Sequence, residues 1–230
     1  MFYIQSLSPE DWRKLLAQPE KQWKDGYSAK ELAEAWQNSS GFPECVKSVL
    51  IKSGLAGEEK IEFIQGLPEF KVALPGGNRA SQTDLFVLAK LNDELVTIMV
   101  EGKHNEPFGP TVRAWNTENP KSVGKEKRLA FLRSLIGLDD IDIDDLRYQL
   151  FHRTASAILT AKKYNTKKAI MMVHSFSLAN DSYLDFADFA NRLGYAAGIN
   201  NFTDYKEKSG VQLSLGWVND MQINEYTAVF

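Results

Sequence analysis

Two β-rich runs, Thr83–Leu91 and Glu94–Lys103, are separated by only Asn92-Asp93. Both turn residues accept the backbone of a two-residue hairpin turn, so the runs are predicted to pair antiparallel. A turn this short also fixes register: residues equidistant from it must face one another, which puts Asp84 opposite Glu101. Alternation along the strand sends Thr97, Met99, Glu101 and Lys103 to one face and Val96, Ile98 and Val100 to the other. The fold must therefore accommodate two acids and a lysine together at one end of an otherwise apolar hairpin.

Helical start signals dominate the first fifty residues. Ser8-Pro9-Glu10-Asp11 opens one helix, and Ser28 to Glu31 has capping-box spacing ahead of Leu32, Ala35 and Trp36. A further helix follows Pro43, through Val46, Val49 and Leu50, to a stop at Gly54. Lys60–Gln65 and Phe70–Leu74 read as two short strands, punctuated by Gly66 and Pro68 and then by Pro75-Gly76-Gly77-Asn78. Beyond the hairpin, His104 to Pro120 is polar and irregular and has the length of a lid loop. Helical spacing returns over Lys125–Ile136 and Asp142–Tyr164, and the acids Asp139 to Asp145 suit a helix amino terminus. Lys168–Val173 reads as a strand buried on both faces after a helical crossover. A helix near Ser182–Leu193 and a strand over Val211–Val218 complete the chain. The order α-α-β-β-β-β-α-α-β-α-β predicts an α/β fold with a mixed central sheet flanked by helices.

Composition narrows the function classes. The single Cys45 cannot form an internal disulfide and removes Cys-rich zinc and redox motifs, in keeping with a reducing, cytoplasmic setting. No uninterrupted apolar run exceeds five residues, against the roughly 20 needed to span a bilayer, so no membrane partner is expected. Charges at Glu10, Asp11, Arg13 and Lys14 interrupt the amino terminus before a signal-peptide core could form. A net charge of -3 excludes a histone-like polycation.

The chemistry-bearing residues are Asp84 and Glu101-Gly102-Lys103. Two carboxylates on one face can bind a hard cation such as Mg²⁺, which lowers the pKa of bound water and stabilises charge on a phosphate. Lys103 beside them can orient the attacking water or offset that charge. A salt-bridged cluster at a sheet end is the structural alternative, since the spacing is short and common.

On these residues and this element order the chain resembles the PD-(D/E)xK superfamily, the restriction-endonuclease-like nucleases. The resemblance covers Ser28 to Ser175, about two thirds of the chain. It implies a core of α-βββ-α-β with an N-terminal helical extension and a C-terminal βα extension. One domain over 1–230 would comprise the extension 1–27, the core 28–175, and a helix and strand over 176–230. It implies metal ligation by Asp84, Glu101 and the Gly102 carbonyl, with Mg²⁺ or Mn²⁺ as the ion, and Lys103 as the catalytic lysine. It also implies a supporting Glu on the first core helix, Glu34 or Glu31, and a polar residue on the crossover helix. Gln149 fits the latter, with Arg153 on the same helical face and Tyr148 and His152 close by. An ordinary solvated helix face is the alternative for that pair. Thr83 stands where the family's motif has Pro, and Glu106 follows either as an acid that supports the metal ligands from behind or as the start of the loop.

Other motifs carry less. His104, His152 and His174 lack metal-ligand spacing. Asp140-x-Asp142-x-Asp144 has Asp145 and Phe151 where a calcium loop needs Gly and Glu. No Walker loop, Gly-x-Ser-x-Gly elbow or dinucleotide fingerprint occurs. From Lys103 to Lys168 there are 13 Lys/Arg against 8 Asp/Glu, a local +5 that leaves -8 elsewhere. Lys121, Lys125, Lys127, Arg128 and Arg133 are placed to contact phosphates, with Trp115 either stacking on a base or packed under its loop.

The expectation is a Mg²⁺-dependent nuclease acting on nucleic acid, DNA in preference to RNA. Two alternatives stand beside it: a non-cleaving interaction module with the same fold, and a metal-dependent hydrolase of a small phosphoester. A homo-oligomer is open, and no residue pattern supports one.

Overall fold

A computed structural model of the chain describes residues 3, 5–117 and 122–221. The Asn92-Asp93 hairpin lies at its centre: β2 (Ser81–Leu91) and β3 (Glu94–Lys103) pair antiparallel, with Leu85 opposite Val100 and Leu91 opposite Glu94. Asn92 and Asp93 have φ of 52° and 67°, the left-handed pair a twisted two-residue turn demands. Continuing the register one step places Asp84 across from Glu101, as expected.

Before the hairpin runs β1 (Ile61–Val72), antiparallel to β2 and at the sheet edge. It replaces the two short strands expected on either side of Gly66. The register slips between Phe63 and Gln65, and Glu69 takes a left-handed φ of 52°, so the strand bends twice without ending. Edge position also explains why Pro68 is tolerated inside it.

On the other side of β3, β4 (Lys168–Ser175) and β7 (Val211–Asn219) add in parallel, giving the order β1-β2-β3-β4-β7-β5. The short β5 (Asn201–Phe202) and β6 (Lys206–Lys208) pair antiparallel with β7. Both were missed in the sequence, being too short to show a period. Helices α1 (Pro9–Arg13), α2 (Pro19–Gln22), α3 (Ser28–Gln37) and α4 (Glu44–Lys52) precede the sheet. Trp12, Leu32, Trp36, Val46, Val49 and Leu50 bury one sheet face against Leu85, Val87, Ile98, Val100 and Met172. Between β3 and β4 come α5 (Val112–Thr117), α6 (Val123–Ile136) and α7 (Tyr148–Tyr164), with α8 (Tyr183–Arg192) later. Leu132, Ile136, Phe151, Ile158, Phe186 and Phe189 cover the opposite face, on Phe86, Met99, Met171 and Trp217. The result is a seven-stranded mixed sheet flanked by helices.

Several local readings differ. Ser28 is the first residue of α3 and not its cap; Tyr27 holds the cap position, and the Glu31 carboxylate accepts from the Gly26 N–H at 3.0 Å. The expected lid loop contains α5, while its residues 118–120, and Lys121 of the expected phosphate patch, lie outside the described residues. The crossover helix begins at Tyr148, six residues later than expected, so the Asp139 to Asp145 acids precede a turn and not a helix end. Asp144 and Asp145 pair instead with Arg113 at 3.3 Å and Arg192 at 3.2 Å. No helix among the described residues is long and apolar enough to cross a membrane.

Candidate active site

The carboxyl end of β3 delivers Glu101 and Lys103 to the sheet face that α7 covers, because they share the parity of Met99. Glu101 is almost sealed, its side chain 3% exposed. Its Oε1 accepts from Lys103 Nζ at 2.7 Å and from Gln149 Nε2 at 2.5 Å, and its Oε2 accepts from Arg153 Nε. Gln149 and Arg153 are four residues apart on α7, one helical turn, and so reach the same carboxylate from one helix face. The pairing expected of them is therefore present, directed at Glu101.

Asp84 sits beside this cluster, 26% exposed. Its Oδ2 accepts from the Gly102 N–H at 2.8 Å, and its Oδ1 lies 3.9 Å from Arg153 Nη2. Within a strand, the N–H and C=O of one residue project to the same side, so the Gly102 carbonyl is directed toward β2 as well. A third acid, absent from the sequence expectation, completes the group. Glu69 lies between Pro68, opposite Leu85, and Phe70, opposite Thr83, which brings it alongside Asp84. Its Oε2 accepts from Gln82 Nε2.

Three carboxylates thus face two fixed cations. Burial alone would raise the Glu101 carboxyl, but the Arg153 and Lys103 charges hold it down at about 2. Asp84 and Glu69 have no comparable compensation. Burial, reinforced by the charge on Glu101, lifts Asp84 well above the ordinary carboxylate value, and burial pushes Glu69 up to about 7. Glu101 is the committed anion, and the other two acids are short of positive charge. Oxygen donors in this electrostatic state suit a hard cation. A depression of about 330 Å³ opens on them, bordered by Glu69, Asp84, Glu101, Gly102, Lys103 and Glu106. Glu106 is half-buried at its rim and accepts from the His104 N–H at 3.2 Å.

The helical glutamates do not join this group. Helix α3 packs on the opposite sheet face, where the missing Cβ of Gly102 admits Leu32 and the Ser28 carbonyl. Glu34 pairs with Lys30 at 3.6 Å and Glu31 holds Gly26, so neither borders the depression.

The expected phosphate-facing patch is largely committed elsewhere. Arg128 is 9% exposed and donates to the carbonyls of Leu74, Pro75, Gly77 and Arg79. Arg133 donates to those of Leu138, Asp139 and Ile141, and Lys125 to that of Trp115. Trp115 stacks on Tyr148 at 3.9 Å between ring centroids, with the Lys125 ammonium 4.8 Å over the ring, so the indole is packed against neighbouring helices.

A second cluster, Cys45, His174 and Asp220, was invisible in the sequence and lies on the α4 side of the sheet. The Trp36 indole N–H donates to His174 Nδ1 at 3.0 Å, and an indole can only donate. With Nδ1 accepting, the ring carries its proton on Nε2, facing Cys45 Sγ at 3.4 Å and Asp220 Oδ1 at 3.5 Å. A metal at Nε2 would need that proton removed while Nδ1 still accepts, so these residues do not fit a cation. The Cys45 thiol donates to Asp220 at 2.8 Å and burial raises its pKa, which leaves no nucleophile.

Fold and site define a mixed α/β domain with an acid-rich ion cluster where the antiparallel half of its sheet meets the parallel half. Within that class the chain belongs to the family described as domain of unknown function DUF6946, whose model matches residues 5–222. No curated protein and no solved structure matches it.

Proposed function

We propose that the protein is a metal-dependent nuclease of the PD-(D/E)xK type, hydrolysing phosphodiester bonds in nucleic acid, DNA in preference to RNA. One observation carries the reading: Glu69, Asp84 and Glu101 converge on Lys103 and Arg153, with the Lys71 charge acting on Glu69 from further off. The order α3, β1-β2-β3, α7, β4 also supports a restriction-endonuclease-like core. Asp84, Glu101 and the Gly102 carbonyl would hold Mg²⁺ or Mn²⁺, with Glu69 as a further oxygen donor. When bound, that ion supplies a Lewis acid and a water of lowered pKa. Lys103 orients the water and offsets charge on the phosphate, and Gln149 keeps Glu101 in place.

A panel of DNA and RNA substrates tests this. Cleavage should require Mg²⁺ or Mn²⁺, stop with EDTA, and fall at least about a hundredfold in Lys103→Ala and Asp84→Asn, the range for groups that act in proton transfer or charge stabilisation. Asn at 84 keeps an oxygen for the Gly102 N–H, so the fold is retained. Cleavage that survives both substitutions sinks the assignment. The non-cleaving interaction module is favoured by a separate observation, that both Glu101 oxygens are already engaged. It predicts that calorimetry detects no binding of Mg²⁺ or Mn²⁺.

A further inference from the structure

The acidic depression adjoins a larger cleft of about 850 Å³, the two sharing Gln82, Lys103, Gln149 and Arg153 as common lining. Not one carboxylate borders the larger part, and five basic side chains do: Lys71, Arg79, Lys103, Arg128 and Arg153. Their roles differ. Lys103 and Arg153 are committed to Glu101, and Arg128 to four backbone carbonyls. Lys71 and Arg79 are exposed, and neither makes a hydrogen bond or close ion pair among the described residues, although the Lys71 charge acts on Glu69 from a distance.

Arg128 makes Arg79 a built feature. The loop between β1 and β2 wraps the Arg128 guanidinium, which reaches Arg79 O at 2.8 Å and Pro75 O at 2.9 Å, with Leu74 O and Gly77 O at 3.4 Å. On the loop's far side Gly76, at φ 82°, lies against α6 so closely that a Cβ would stand 2.1 Å from Gly124 O. A loop fixed in this way presents Arg79 without the ordering cost that a mobile arm incurs on binding.

His152 adds a neutral donor. Its Nδ1 is 3.3 Å from Arg153 Nη1, which can only donate, so Nδ1 accepts and the proton resides on Nε2. Burial and the Arg153 charge keep the ring neutral. The Nε2–H has no partner among the described residues, and the ring borders the cleft. The aromatic rings of the cleft are engaged within the protein: Trp115 stacks on Tyr148 near the Lys125 ammonium, and buried Phe108 lies under the Lys103 ammonium at 5.0 Å.

We propose that this cleft is a track for the sugar-phosphate backbone of a single nucleic-acid strand leading to the Asp84 cluster, gripped by Arg79, Lys71 and His152 without base stacking. The proposal rests on the nuclease reading for the strand's direction, while the grip itself does not need the acids. Its volume lies in the range of pockets that take a small molecule, enough for a short stretch of one strand. Phosphate contacts without base contacts make binding sequence-independent and steeply dependent on salt.

The test is fluorescence anisotropy of a labelled oligothymidylate with the full chain in EDTA, titrated across salt concentrations. Each single-strand phosphate contact contributes roughly 0.7 to the slope of log K against log salt, so Arg79→Ala with Lys71→Ala should lower it by about 1.4. Affinity should fall about tenfold near 0.1 M salt. Lys52→Ala, which removes an exposed charge from α4 on the opposite sheet face, should leave the slope unchanged. An unchanged slope in the Arg79/Lys71 variant overturns the proposal, as does duplex binding of equal strength. Inorganic phosphate that competes as well, per phosphate, as unlabelled oligothymidylate would assign the cleft to an isolated phosphate and overturn the track. Loss of slope without any metal-dependent cleavage leaves the track standing and removes the nuclease reading. Cleavage that Asp84→Asn abolishes, with an unchanged slope, does the reverse.

Discussion

Arg153→Met separates a structural ion cluster from a cation site. The guanidinium is 8% exposed, binds Glu101 Oε2 and stands 3.9 Å from Asp84 Oδ1. Removing it leaves three carboxylates around the single Lys103 ammonium. Deleting one partner of a buried pair costs about 3–5 kcal/mol, because the other charge stays buried and uncompensated. At about 2–4 °C per kcal/mol for a chain of this size, the melting temperature in EDTA should fall by roughly 6–20 °C. Glu101→Gln together with Arg153→Met orphans less charge, and should cost well under the sum of the two single changes. Mg²⁺ distinguishes the readings, since loss of the guanidinium opens Glu101 Oε2 and Asp84 Oδ1 to an ion. At a hundredfold excess over Kd, binding to the folded state alone returns about 2.7 kcal/mol. Urea unfolding followed by tryptophan fluorescence, with EDTA and with Mg²⁺, should show Arg153→Met regaining more stability from Mg²⁺ than the wild type does. An equal loss in both media would mean that no cation site overlaps the guanidinium. A loss below about 1 kcal/mol in both would refute the buried network itself.

Two further expectations concern the frame around the site. Gly76→Ala places a methyl 2.1 Å from Gly124 O at a left-handed φ, so it should destabilise by about 1–3 kcal/mol in urea titration; a neutral result would show that the loop is not seated on α6. Asp220 is held below its ordinary pKa by the His174 and Cys45 hydrogen bonds. A depressed carboxyl stabilises above its unfolded pKa and loses that contribution as pH falls through the folded value. Asp220→Asn should therefore cost about 1–2 kcal/mol near neutrality. The gap to wild type should close in acid, and a gap that widens there would contradict the assignment.

What the sequence made legible was local. Asn92-Asp93 fixes the hairpin register within two residues, and Asp84, Glu101 and Lys103 follow from parity alone. Gln149 and Arg153 follow from helical spacing once α7 is known to cross the sheet. Glu69 was hidden because its place beside Asp84 depends on a left-handed glutamate after Gly66 and Pro68, a stretch whose composition signals a break. Glu34 and Glu31 were misplaced for the opposite reason. Their helix is plain in the sequence, but the sheet face it covers is decided at Gly102, some seventy residues away, where only the absence of a Cβ lets α3 approach.

Charge counting met the same limit. The +5 from Lys103 to Lys168 suggested a basic face along α6, yet Arg128 and Arg133 lie with their guanidinium groups against backbone carbonyls and Lys125 with its ammonium over Trp115. A cation satisfied by carbonyls keeps its charge but loses the donors a phosphate would need. The open basic donors that border the cleft, on Arg79 and Lys71, lie outside that segment, Arg79 on the loop that Arg128 braces and Lys71 on β1. A basic residue can thus promote anion binding from a distance, by fixing the backbone that carries a second one. Arg128→Lys is informative for that reason: a lysine keeps the charge but cannot span four carbonyls, so Arg79 should lose its grip on oligothymidylate although net charge is unchanged. Affinity and salt slope equal to wild type in Arg128→Lys would show that the loop holds its shape unaided.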